Sequence, residues 1–159
     1  MDVLFASIFI GIGSTLIFDL WGLAVATALG LPRANWGFAG RWFGHMPRGR
    51  FRHADMAAAA PVPAERAIGW IMQYLIGILY AAIVLLIWGK GWLAAPTLGP
   101  ALTVGVLTVA AGWFIMSPGM GNGIAASRAP NPWKVRGLQL AAHVVFGLGL
   151  YVSALAYST

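Results

Sequence analysis

Apolar residues gather in four runs, separated by stretches where glycine, proline and charge return. The runs cover about residues 3–23, 67–88, 97–117 and 135–157, the first continuing apolar as far as Leu31. Each is near the ~20 residues an α-helix needs to cross a hydrocarbon layer of roughly 30 Å. The pattern therefore predicts an all-α integral membrane bundle of four transmembrane helices forming a single domain over residues 1–159. Lys90, Gly91, Pro96 and Pro100 mark a short turn between the second and third spans. The long connections, 32–66 and 118–134, are loops.

Arg66 and Arg136 each precede a polar side chain by seven residues (Gln73, His143) and a glycine by eleven (Gly77, Gly147). This register suggests two helical hairpins repeated in the same sense about an axis along the membrane normal.

Composition agrees with the pattern: 60% of the residues are apolar and 9% charged, too little polar surface to cover a water-soluble globule. Absence of cysteine excludes disulfides, thiolate nucleophiles and cysteine metal sites. The net charge of +6 is unevenly placed: nine of the ten Lys and Arg fall in the two long loops or at their edges, leaving only Lys90 opposite. Cytoplasmic loops keep such residues. The expected location is a bacterial inner membrane, multi-pass, with both long loops cytoplasmic and both termini periplasmic. An acidic start and a long first run argue against a signal peptide.

Charged groups in hydrocarbon cost at least ~2.5 kcal/mol, so Asp19, Gln73 and His143, at similar expected depths, form a candidate intramembrane polar cluster. Such a cluster could exchange a proton, hold a cation or orient a ligand; equally it could pin helices together, or Asp19 could end its span and reach the interface.

In the first loop, Asn35 to His53 interleaves aromatic and basic residues, which suits a segment at headgroup level with Arg41, Arg48, Arg50 and Arg52 on anionic lipid. No nucleic-acid partner, cofactor or metal centre is expected, His45 and His53 being the nearest approach to a metal pair. In the second loop, Gly119, Gly121 and Gly123 alternate, and Arg128 follows. Successive N–H groups could form an anion-binding concavity there, although a flexible turn with a short helix after Gly123 is the expected form. The ending of a nucleotide-type phosphate loop is missing.

Three motifs carry a resemblance: Gly40-Arg-Trp with His45-Met-Pro-Arg-Gly-Arg-Phe-Arg-His53, Pro61-Val-Pro with Glu65-Arg-Ala-Ile-Gly-Trp70, and Pro118-Gly-Met-Gly-Asn-Gly-Ile-Ala-Ala-Ser-Arg-Ala-Pro-Asn-Pro132. On these the chain resembles a bacterial inner-membrane family known as domain of unknown function 2938. The resemblance implies a small four-span protein and supplies no activity. Gln73 stands where similar sequences carry histidine, which weakens a paired-histidine site.

Three functions stay open. The first expectation is an accessory or complex-forming membrane subunit, homo- or hetero-oligomeric, because glycines such as Gly11, Gly13, Gly105, Gly112, Gly147 and Gly149 let helices approach closely. A small proton- or cation-coupled transporter or channel using Asp19 and His143 comes second. A membrane enzyme acting on a lipid or quinone comes last.

Overall fold

The computed structural model describes residues 2–158. Five helices account for most of them: α1 (Val3–Ala28), α2 (Trp36–His45), α3 (Glu65–Ala94), α4 (Leu98–Gly119) and α5 (Pro132–Ser158). Four of these, all but α2, are long and apolar enough to cross a membrane. Asp2 caps α1 through its side chain, accepting from the Leu4 N–H at 2.8 Å.

The second span breaks at Gly89, beside the expected turn at Lys90 and Gly91: Gly89 leaves helical geometry at φ 71°, and a short helical stretch follows it as far as Ala94. A residue without Cβ takes a positive φ at no steric cost. In the first loop Trp36–His45 form a helix, α2, an element that composition did not specify; the Asn35 side chain starts it by accepting from the Gly37 N–H at 3.0 Å.

By mutual packing the chain divides into two compact units. The first comprises Met1–Arg33, Tyr74–Thr108 and Leu140–Thr159. Its core contains Ala6, Ile10, Ala81, Val84, Leu85, Leu93, Val104, Phe146 and Leu150. Small polar side chains join them inside, Ser14 and Thr15 among the most buried, while Leu4, Phe5, Leu86 and Leu107 are each about two-thirds exposed or more. Polar residues within and large apolar residues without is the arrangement expected when hydrocarbon is the solvent. Glycines set the helix spacing: a Cβ on Gly105 would lie 2.5 Å from the Cα of Gly147.

The second unit comprises Ala34–Gln73 and Val109–Gln139. Here α2 crosses the start of α3 at Gly40 and Gly69, where a Cβ on either would strike the backbone of the other helix or its approach. Arg41 ties the unit together. Its guanidinium makes a two-pronged contact with Glu65, Nε and Nη2 each donating at 2.8 Å, and Nη1 donates to the carbonyls of Met56, Ala57 and Ala59. Buried Trp42 donates from Nε1 to the Phe51 carbonyl at 2.9 Å. In α4, Gly112–Met116 forms a π-turn, and Trp113 donates to Gln139 of α5 at 2.8 Å.

Candidate functional site in the loop unit

The two long loops meet inside the second unit. The His53 backbone N–H donates to the Gly119 carbonyl at 2.9 Å, and Trp42 packs against Gly119 where a larger residue would not fit. Ser117 fixes the second loop: its hydroxyl donates to the Gly123 carbonyl at 2.7 Å and accepts from the Ala126 N–H at 3.0 Å. Arg136 lies over the Trp133 ring and donates to the Ala125 carbonyl at 2.8 Å. Held from both sides, Ala125 and Ala126 adopt left-handed φ values of 49° and 55°. Non-glycine residues pay about 1–3 kcal/mol for such conformations, a strain that concentrates at ligand sites.

Between the loops opens a cleft of about 440 Å³, lined by Arg52, His53, Pro118, Gly123, Ile124, Ser127 and Arg128. None of these seven residues is acidic, and two are arginines with exposed side chains. Arg128 makes one long bond, 3.4 Å to the Gly121 carbonyl.

Of the residues singled out from sequence as headgroup or anion contacts, the structure brings Arg52, Gly123 and Arg128 to this cleft. Arg48 and Arg50 are exposed at the turn after α2. Arg41 is turned inward and engaged by Glu65. This hydrogen bond raises the Arg41 pKa, and the same contact holds Glu65, which lies two residues ahead of the apolar run from Ala67, at about 2. Gly119 and Gly121 serve the loop itself: Gly119 accepts from His53, and the Gly121 N–H donates to the Pro118 carbonyl. The N–H groups of Met120, Asn122, Ser127 and Arg128 are likewise bonded to carbonyls of α4 and of their own loop, and two cationic residues, Arg52 and Arg128, line the cleft.

His45 and His53 lie with ring centroids 5.0 Å apart. Nε2 of His45 donates to the Ala60 carbonyl at 2.9 Å; its Nδ1 and both ring nitrogens of His53 are buried without a hydrogen-bond partner. Among the described residues no group of three His, Cys, Asp or Glu side chains is placed to hold a metal ion.

The intramembrane candidates divide between the units. Asp19 and His143 belong to the first, Gln73 to the second, where it is buried. The Tyr74 hydroxyl donates to Asp19 at 3.2 Å. His143 shares Nδ1 between the Gly105 carbonyl at 3.1 Å and the Thr108 hydroxyl at 3.2 Å, with Phe18 edge-on to its ring. The sequence singled out neither Ser127 nor His53 as an anion contact. The Ser-Arg pair following the glycines was the available signal for both polar residues on that side of the cleft.

These features define an all-helical protein with four helices capable of crossing a membrane and two long loops folded together around a basic cleft. The chain belongs to the family described as a protein of unknown function, DUF2938, which it matches over residues 8–157. No curated protein and no solved structure matches it.

Proposed function

We propose that this is an accessory, non-catalytic multi-pass protein of a bacterial inner membrane whose cytoplasmic loops capture a tetrahedral phosphate-type oxyanion. The observation that carries the reading is the cleft itself: residues from two separate loops surround it, and its charged lining is wholly cationic. Its volume falls in the range of small-ligand sites, roughly 300–1,000 Å³. Guanidinium groups match phosphate oxygens geometrically and are weakly hydrated enough to bind them at a protein surface. The concentration of Lys and Arg in the long loops supports the cytoplasmic side, where anionic headgroups and soluble phosphate compounds both occur.

Two observations lower the other readings. Asp19 and His143, which a coupled transporter would use, are each engaged by neighbours in their own unit. Of the six glycines that motivated helix partners, Gly11, Gly13, Gly105, Gly147 and Gly149 face atoms of the same chain, and Gly112 alone faces open space. The accessory role therefore rests on ligand capture rather than on helix assembly.

The test is equilibrium binding to the full chain in phosphatidylcholine nanodiscs, with inorganic phosphate and short-chain phosphatidic acid as probes. A charge-assisted hydrogen bond contributes roughly 1.5–3 kcal/mol, so Arg52→Gln with Arg128→Gln should weaken binding by at least about tenfold. Binding of phosphate alone points to a soluble ligand, and binding only of the lipid points to a headgroup. Absence of both, or equal binding by the double variant, overturns the reading.

A further inference from the structure

Resting on the anion reading, we propose that the occupant of the cleft is a membrane lipid ending in a phosphomonoester, its phosphate held by Arg52 and Arg128 and its acyl chains leaving past Ile124 along α4. The lining of the cleft is mixed. Beside the two exposed guanidinium groups stand half-buried Pro118 and Ile124, the latter 58% exposed. A free phosphate gains nothing from an apolar wall, whereas an acylated one does, because removing hydrocarbon from water is favourable roughly in proportion to its area. The wall is fixed in place. Ser117 bonds on both sides of Ile124, to the Gly123 carbonyl and the Ala126 N–H, and Arg136 donates to the carbonyl of the strained Ala125.

The depth of the cleft agrees with a lipid. Pro118 is the penultimate residue of α4, which at 22 residues has the length that a hydrocarbon layer of roughly 30 Å requires. The cleft therefore begins where α4 leaves the hydrocarbon. Phe114 and Ile115, about one helical turn back from Pro118, are both exposed and give an apolar path toward the bilayer. At the start of α5, Trp133 is 78% exposed with Arg136 stacked on its ring, a pairing suited to headgroup level, where an indole and a guanidinium each keep one end wet. Charge selects the headgroup. Two guanidinium groups, with no acidic residue in the lining, match a terminal phosphate carrying about −1.5 to −2 near neutral pH better than the single charge of a phosphodiester.

Two probes separate the chains from the phosphate: dihexanoyl phosphatidic acid, and glycerol 3-phosphate, which has the same phosphomonoester without chains. Both are titrated onto the full chain in phosphatidylcholine nanodiscs, with the Arg52→Gln, Arg128→Gln double variant as the blank for partition into the bilayer. The lipid should bind at least about tenfold more tightly, since burial of about two methylene groups suffices for that ratio. Ile124→Ser, at an exposed position, should weaken the lipid severalfold more than it weakens glycerol 3-phosphate. Equal affinity for the two probes, or a preference that Ile124→Ser does not reduce, overturns this proposal and leaves the anion site standing. Binding of neither probe above the blank overturns both.

Discussion

The two units treat their polar groups in opposite ways. In the first, Asp19 meets Tyr74, His143 meets Gly105 and Thr108, and the hydroxyls of Ser7, Ser14 and Thr15 bond to helix carbonyls one turn back. In the second, a well-anchored frame around Arg41 and Glu65 stands next to a cleft with exposed arginines and idle imidazole nitrogens. Polar groups surrounded by hydrocarbon must find partners within the protein. Groups left without partners on an otherwise ordered frame mark the place where a ligand would supply them. The first unit is thereby read as scaffold and the second as site.

The sharpest way to break the scaffold half of this contrast is to force its helices apart. Gly105→Leu drives a side chain into the Gly147 backbone; overpacking costs about 1–3 kcal/mol even where neighbours can shift, and the backbone here cannot. The variant should be lost as aggregate on detergent size-exclusion chromatography, whereas Gly112→Leu, with open space around it, should elute as the wild type does.

Next in size is the frame of the second unit. Glu65→Gln leaves the inward-turned Arg41 guanidinium without its counter-charge, and limited proteolysis should cut between Phe51 and Val62 several times faster than in wild type. The pH dependence has a definite sign. The folded Glu65 carboxyl, at about 2, lies below its ordinary 4.5. Its contribution is therefore complete above 4.5 and is lost as pH falls from there through about 2, a loss that Glu65→Gln should not show.

Smallest of all should be Tyr74→Phe, which removes one interhelical bond to Asp19. Such bonds average ~0.6 kcal/mol in membrane helices, so a thermal melt should shift by only a few degrees. A collapse of the fold on this change would show that Asp19 has no other means of support.

Which parts were legible in the sequence follows from the range of the interactions involved. Span positions depend on hydropathy summed along one helix, and α1, α3, α4 and α5 fall where the apolar runs place them. The break at Gly89 falls beside the turn that Lys90, Gly91 and Pro96 signal, but the short helical stretch that follows it was hidden, because glycine marks a break without saying what comes next. Helix α2 was not specified although Asn35 is a favourable N-cap, because interleaved Trp, Phe and Arg suit an interfacial segment whether or not it is helical. Arg41 and Arg52 look alike in sequence, both basic and both in the first loop. Only the fold distinguishes them, by bringing Glu65 to Arg41 and the second loop to Arg52. The glycine-rich loop was visible as a candidate, but the direction of its N–H groups depends on Ser117, Pro118 and Asn122 contacts that no spacing rule reports.

Phosphorus NMR of the protein extracted from its native membranes in mild detergent tests the ligand-capturing cleft most directly. The account predicts one phosphate-bearing molecule retained per wild-type chain and released in the Arg52→Gln, Arg128→Gln double variant. A wild-type chain that carries none, or a double variant that carries as much, would contradict it.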